Sequence, residues 1–380
     1  MGLDRLGSRH QEALQLYWGC PKHLPCLGRD PCPRLGRLRA RLLRGLPHQP
    51  RRLHRRVPQL RGLESCRGSP AEGLTSAPAQ LTARCAGACY PADPAQAREH
   101  FGAALQKIRP AKIRHGELRC PIVPHIDFRV NLGLYAETYA QWRDASWFPS
   151  RIIILGVGHR SRDEFACLPA GFKTPLGEVE PDHSFHNALA ARCPFPLVRD
   201  AKAFQGEHSI EFVVVWLQVL RDLFFPDRSF TILPILCSGL QDFVEKGVPP
   251  SESDPATVFA KALASLPGAD DPDTAWVASI DGCHVGPRFQ HPFEADEKVR
   301  RLVASWEKHL WSVASTETLP AFFQHLSSNS NGFYFDGVGV LHALLAGRNL
   351  KAEIQPTVQW HEPSDQSLVS FSRGHLVATS

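Results

Sequence analysis

The chain has 380 residues, 43% hydrophobic and 21% charged, which is enough for one large α/β domain or two smaller ones. No run of 18 apolar residues occurs, and the first twenty residues lack the apolar core of a secretory signal, so we expect neither a membrane span nor secretion but a cytoplasmic protein. Residues 1–84 contain fifteen arginines, one lysine and five acidic residues, which gives a net charge of +11. The remainder contains 27 basic and 33 acidic residues, which gives −6. The excess of basic residues at one end therefore gives no reason to expect nucleic-acid binding by the main part of the chain.

The first segment in chain order, residues 1–83, has a composition that is poor for a folded domain. Prolines and arginines interrupt its apolar runs, and Ser69–Ala83 is rich in Ser, Ala and Pro. This composition favours a disordered tail or codons translated from a misplaced start. A basic arm for RNA and an organellar transit peptide are the alternatives. We therefore predict a folded domain over residues 84–380.

Beyond residue 84, helical and strand patterns alternate. Continuous apolar runs predict strands that are buried on both faces, and apolar residues at helical spacing predict helices. The predicted strands are Arg119–Val123, Arg151–Val157, Phe230–Leu236 and Thr274–Ile280. The predicted helices are Pro94–Ile108, Asn131–Trp142, Glu207–Phe225, Ala295–Val313 and Gly337–Leu345. The alternation predicts an α/β fold, a three-layer α/β/α sandwich with a mostly parallel central sheet.

Four histidines stand where such a sheet binds ligands, beyond the carboxyl ends of its strands. His125, His159 and His284 follow predicted strands, and His208 opens a predicted helix. One histidine alone is more often structural. Four at such positions indicate a shared site, because neutral imidazole serves both as a metal ligand and as a proton shuttle. We expect the four rings to converge on one cleft, with His125 and His159 as the closest pair.

Seven motifs occur in a recognisable order. They are AGACYPADP (86–94), PHIDF (124–128), ILGVGH (154–159), TPLG (174–177), GEHSIEF (206–212), ILPIL (232–236) and DGCHVGPRF (281–289). In this order, over most of the chain, they resemble the Memo family, protein B of the AmmeMemoRadiSam system. The resemblance implies an α/β/α sandwich similar to class III extradiol dioxygenases, which hold ferrous iron with two histidines and one acid.

Carried over position by position, the resemblance implies that His125 and His159 are the two imidazole ligands of the metal. His284 matches the acid–base position of the dioxygenases, and His208 is implied as a further histidine of the pocket. Asp281 is implied to orient His284 or to line the pocket, which makes His284, His208 and Asp281 the candidate catalytic residues. Glu207 is implied to brace the start of its helix. For both acids, capping of backbone N–H groups is the alternative.

The third metal ligand departs from the family pattern. Where the family has a Cys-Gly pair before its C-terminal helix, this chain reads SNSNGFYFDGVGVL (328–341), without cysteine. Asp336 is the nearest hard ligand and completes a two-His, one-carboxylate face that suits Fe(II). Asn331 is a weaker candidate, and capping of the next helix is an equal alternative for Asp336. We expect a divalent metal, iron rather than copper, because the soft thiolate donor is missing.

Three functions remain open at this point. The first is a non-haem metal oxidoreductase, similar to a dioxygenase, that acts on a small organic substrate with O₂ and uses His284 as its base. The second is a binding module that holds a small molecule or a peptide without turnover. The third, implied by the system name, is an accessory protein to a radical-SAM partner. Fold resemblance does not choose between them. No nucleic acid and no membrane are expected as partners.

Overall fold

Five parallel strands form the centre of the main sheet in the computed structural model, which describes residues 80–110, 118–316 and 318–378. In spatial order they are β6 (Gly177–Pro181), β7 (Thr231–Cys237), β3 (Arg151–Val157), β8 (Thr274–Ser279) and β2 (Pro121–Val123). The two longest strands, β3 and β7, have seven residues each and pair along their full length in the middle. Both faces of these strands are buried, as a continuous apolar run requires.

Further strands extend the main sheet at both edges. Beyond β6 lie β5 (Gly171–Thr174), which is antiparallel to it, and then β1 (Gln80–Thr82), which is parallel to β5. Beyond β2 lie the antiparallel strands β13 (Gly374–Ala378) and β10 (Leu350–Ile354). The short strand β4 (Phe165–Cys167) pairs antiparallel with β7. The sheet is thus parallel at its centre and mixed at its edges.

A second, three-stranded antiparallel sheet lies beside the carboxyl end of β8. It consists of β9 (His284–Val285), β12 (Ser367–Phe371) and β11 (Val358–Glu362). This sheet positions His284, a candidate site residue, because His284 pairs with Val369 of β12.

Helices cover both faces of the main sheet, which confirms the three-layer prediction. On one face lie α1 (Pro94–Gln106), α2 (Phe128–Asp144) and α4 (His208–Phe224), whose aromatic rings surround the buried Trp216. On the other face, helices share one hydrophobic core with Ile153 and Leu155 of β3. They are α3 (His183–Ala190), α5 (Gln241–Lys246), α6 (Pro255–Ala264), α7 (Glu297–Thr316), α8 (Leu319–Ser328) and α9 (Val338–Gly347). None of the helices in the described ranges is long and apolar enough to cross a membrane.

The predicted elements are present, with shifted ends. Arg151–Val157 has its predicted bounds, and the other predicted strands and helices differ by at most three residues at either end. The strands after α9 were not predicted, because they are short and lack a continuous apolar run. Gln80–Thr82 joins the main sheet although it precedes the predicted domain boundary at residue 84. The prediction for residues 1–79 lies outside the described residues.

His342 of α9 is a buried histidine, and neither of its ring nitrogens has a hydrogen-bond partner among the described residues. Burial lowers its pKa from 6.5 to about 4. Above its unfolded pKa the ring is neutral in both states. As the pH falls from 6.5 toward 4, only the unfolded chain takes up the proton, so stability falls.

We expect His342→Leu to remove this share of the acid sensitivity. Between about pH 7 and about pH 4.5 the free energy of unfolding should fall by about 2 kcal/mol less in the variant than in the wild type. Urea denaturation at both pH values measures the difference, and His183→Leu, which changes an exposed histidine, is the control. An equal fall in the wild type and in His342→Leu contradicts the prediction.

Candidate metal centre

His125 lies at the centre of the site. It follows β2 and is buried. Its Nδ1 shares a hydrogen bond with the hydroxyl of Ser279, 3.3 Å away at the end of the neighbouring strand β8. Its Nε2 therefore faces two carboxylates, at 3.2 Å from Oδ2 of Asp336 and 3.7 Å from Oδ2 of Asp281. Burial by itself lowers the pKa of His125, but the two carboxylates outweigh burial and raise it to about 9.

Three of the predicted histidines come together, and we call His125, His159 and His208 the three-histidine group. One ligand nitrogen from each lies within 4.8 Å of the others. The ring centroids of His125 are 5.3 Å from those of both other rings, whereas His159 and His208 stack at 4.7 Å. The prediction that His125 and His159 form the closest pair is therefore wrong. The reason is that one carboxylate, Glu207, lies beside both stacked rings.

Glu207 has two functions in the site. It is the N-cap of α4, where it accepts a hydrogen bond from the backbone N–H of Ser209, so the capping role given as the alternative for Glu207 is confirmed. It also accepts from Nδ1 of His159 at 2.9 Å, which leaves the Nε2 lone pair of His159 for a metal. Burial alone raises the pKa of Glu207, but the rings of His159 and His208 and the backbone donor outweigh burial and lower it to about 2. The carboxylate is thus ionised and orients its neighbours.

His208 opens α4 and is suited to metal binding in its neutral form. Burial, followed by the nearby charge of His159, holds its pKa well below the usual value. A neutral imidazole keeps a lone pair for a metal at neutral pH. The family resemblance implied His208 only as a further histidine of the pocket, and the geometry adds it to the set of possible ligands.

Asp281 binds the backbone N–H groups of the turn at His125, which is the alternative given for this carboxylate. Its Oδ1 accepts hydrogen bonds from the backbone N–H groups of His125, at 2.8 Å, and Ile126, at 3.1 Å. The carboxylate therefore holds the turn after β2 in place, and its Oδ2 has no hydrogen bond among the described residues. Burial raises the pKa of Asp281, and repulsion from Asp336 acts in the same direction.

Asp336 faces the site, and the alternative that it caps α9 is wrong. Gly337 occupies the N-cap position of α9 without any side-chain hydrogen bond. Neither carboxylate oxygen of Asp336 accepts a hydrogen bond from a described residue, although both are buried. Asp336 forms a second ligand-capable group with His125 and Asp281, again within 4.8 Å. The predicted metal ligands were His125, His159 and Asp336. His159 belongs to the three-histidine group, Asp336 to the second group and His125 to both, so this ligand set stays a prediction.

Asn331, the weaker candidate ligand, has another role. Its side-chain oxygen accepts from the backbone N–H of Phe335 and its amide nitrogen donates to the carbonyl of the same residue, both at 3.0 Å. The amide is thus fully engaged in holding the loop that presents Asp336. Tyr334, between them, has a φ of +48°, a left-handed conformation that is uncommon for a non-glycine residue.

His284 begins β9, three residues after Asp281. Its charge lowers the pKa of Asp281, against the larger effect of burial. Its Nδ1 lies 3.2 Å from the carbonyl oxygen of Tyr334, which can only accept, so Nδ1 donates. The neutral ring therefore carries its lone pair on Nε2, the form required of a base. His284 is not a member of either ligand-capable group.

Glu307 of α7 is a residue of the site that sequence reasoning missed. It is fully buried behind the loop at Gly282, where any Cβ would collide with its Oε1 and with the hydroxyl of Ser370. Burial raises the pKa of Glu307 to about 7. A signal was present, because Val303, Glu307 and Leu310 lie at helical spacing on one buried face. An acid on an apolar face marks a buried polar position.

The donor set fits a divalent metal. Buried polar atoms are normally hydrogen-bonded, yet His125 Nε2, Asp281 Oδ2 and both oxygens of Asp336 have no hydrogen-bond partner among the described residues. Metal–nitrogen and metal–oxygen bonds are about 2 Å long, so ligand atoms within 4.8 Å of one another need only small side-chain rotations to share one ion. Imidazole and carboxylate together suit iron, manganese or zinc.

Comparison with known proteins gives the same family in each case. The family model described as Memo-like protein matches residues 82–365. MEMO1 family protein TTHA0924 of Thermus thermophilus is 30% identical over 268 residues, which cover 69% of this chain and 72% of that protein. A MEMO1 family protein of Aquifex aeolicus is 27% identical over 57% of this chain, and the match spans about half (51%) of that relative's length. Protein MEMO1 of Homo sapiens is 25% identical over 65% of this chain and 77% of its own length.

Proposed function

The chain belongs to the Memo-like protein family, and on that premise we propose that it is a non-haem metal protein. One divalent ion would be held by the three-histidine group and by the carboxylate of Asp336. The observation that supports this most directly is that two buried carboxylates converge on Nε2 of His125 and that these atoms have no hydrogen bond among the described residues. Two buried carboxylates beside one imidazole cost free energy, and a bound cation would lower that cost.

Iron is the metal that the donor set favours. The carboxylate of Asp336 is a hard oxygen donor, and no cysteine stands at its position in the sequence. Imidazoles with one carboxylate form the ligand face of non-haem Fe(II) oxygenases, whereas Cu(I) prefers thiolate and thioether. Histidines that bind a metal commonly donate a hydrogen bond from their other ring nitrogen to a carboxylate, as His159 does to Glu207.

We further propose that the site performs oxidative chemistry on a small organic substrate in the cytoplasm. Fe(II) bound at this site would supply activation of O₂. Glu207 fixes the tautomer of His159, and Asp281 holds the backbone of His125. His284, whose Nδ1 donates to a backbone carbonyl, would accept a proton from the substrate through Nε2.

Elemental analysis of the protein purified without added chelator tests the proposal. We expect about one iron per chain, or stoichiometric uptake of Fe(II) under anaerobic conditions. The Fe(II)-loaded protein should then consume O₂ when catechol is added, and His284→Ala should slow consumption by about 100-fold or more without losing iron. Protein that takes up no iron contradicts the metal centre. Iron uptake without O₂ consumption contradicts only the oxidative chemistry and favours a binding module.

A further inference from the structure

Two arginines lie beside the three-histidine group. Arg160 directly follows His159, and its Nη1 donates a hydrogen bond to the carbonyl oxygen of Gln205 at 3.3 Å. Arg84 approaches the same place from the start of the domain. Its Cγ lies 3.4 Å, and Nη1 of Arg160 lies 3.8 Å, from the position that a Cβ would take on Gly206. The two side chains therefore flank one residue, two positions before the start of α4.

Gly206 keeps the space between the two arginines clear. Its φ is +71°, a conformation that glycine adopts without strain and most other residues avoid. A side chain at this position would also meet the aliphatic stem of Arg84 and the guanidinium of Arg160. The turn thus leaves a bare backbone beside the side chains of two arginines.

The charges of Arg84 and Arg160 are not balanced by acids. Both residues are exposed, and neither is within ion-pair distance of a carboxylate in the part of the chain that the structure describes. Arg129 and Arg288, by contrast, pair with acids. Among the described residues, the guanidinium of Arg160 donates one hydrogen bond, to the carbonyl of Gln205, out of the five N–H groups that it carries. The backbone N–H of Arg84 is bound to a buried carboxylate, Glu211, at 2.7 Å, which fixes the start of the side chain.

Arg160 lies beside the candidate metal centre. It directly follows His159 in the chain, and its guanidinium donates to the carbonyl of Gln205, three residues before His208. The side chain of His159 is 34% exposed, whereas those of His125 and His208 are 1% and 13% exposed. The open side of the three-histidine group is therefore the side on which Arg160 follows His159.

We propose that Arg84 and Arg160 bind an oxyanion of the substrate, a carboxylate or a phosphate, and thereby select anionic substrates. Guanidinium groups bind both oxyanions through paired, charge-assisted hydrogen bonds. The anion would lie over Gly206 while the uncharged end of the substrate reaches the three-histidine group. The placement of the reacting end rests on the proposed function, whereas binding of the oxyanion by the arginines does not.

Calorimetric titration of the full chain, without metal, with benzoate and with the neutral, isosteric benzamide tests the proposal. We expect benzoate to bind more tightly than benzamide. Arg160→Ala and Arg84→Ala should each weaken benzoate about tenfold and leave benzamide unchanged. The control is Arg192→Ala, because Arg192 is also exposed and donates to one backbone carbonyl, that of Ala188. Phenyl phosphate in place of benzoate distinguishes the two sources of the oxyanion, since the one that binds more tightly is the one the site prefers.

A second titration separates this inference from the metal centre. On Fe(II)-loaded protein, 3,4-dihydroxybenzoate should bind more tightly than catechol, and the double variant of Arg84 and Arg160 should abolish the difference while keeping its iron. If neither benzoate nor phenyl phosphate binds measurably, or if both bind the double variant as well as the wild type, the oxyanion site is overturned. If the arginines matter for benzoate but the protein takes up no iron, the oxyanion site stands and the proposed function falls.

Discussion

His125→Ala should lower the affinity for Fe(II) by more than about 100-fold. Even the loss of a residue that only hydrogen-bonds to a metal ligand lowers metal affinity by about 10- to 100-fold. His125 has the largest expected effect because it belongs to both ligand-capable groups. Its removal also leaves the buried carboxylates of Asp281 and Asp336 facing each other without the imidazole between them. Anaerobic titration with Fe(II), followed by elemental analysis after desalting, measures the loss.

His342→Leu is the control for this variant. It also replaces a buried histidine, but one that belongs to neither ligand-capable group, so it should keep its iron. The thermal melting of both variants shows whether each chain remains folded. Iron bound by folded His125→Ala as tightly as by the wild type would place the metal elsewhere and remove the main support of the proposed function.

Asp336→Ala should lower the affinity for Fe(II) by about 10-fold or more while leaving the fold intact. Apart from its ion pair with His125 at 3.2 Å, the carboxylate has no hydrogen bond and caps no helix in the described structure, and its loss relieves its repulsion of Asp281, so we expect the fold to be retained. Asp336→Asn keeps the shape but not the charge and should lose most of the affinity as well. Asp336→Cys supplies a thiolate, which should shift the preference of the site from iron toward Cu(I).

Asp281→Ala is the matched comparison for the Asp336 variants. Asp281 accepts two backbone hydrogen bonds, and leaving those buried donors unpaired costs about 1–3 kcal/mol each. We therefore expect a lower melting temperature for Asp281→Ala and an unchanged or higher one for Asp336→Ala. Unchanged iron affinity in Asp336→Ala would end the carboxylate-ligand hypothesis, and the three-histidine group alone would then hold the metal.

The sequence determined the architecture and the general place of the site. Apolar runs such as Arg151–Val157 have few alternatives to a strand buried on both faces, because any exposure of such a run costs hydrophobic free energy. Chain reversals at the ends of parallel strands then bring the following residues to one edge. For this reason the sequence alone assigns His125 and His159 to one site.

The tertiary structure decided how the residues of the site meet. The stacking of His159 on His208 depends on Glu207, which is adjacent to one ring in the chain and 48 residues from the other. Whether Asp336 faced the site or capped α9 depended on the loop that Asn331 holds through Phe335. Side-chain direction at a loop is set by contacts between segments that are far apart in the chain, and a local pattern of residue types contains no information about those contacts.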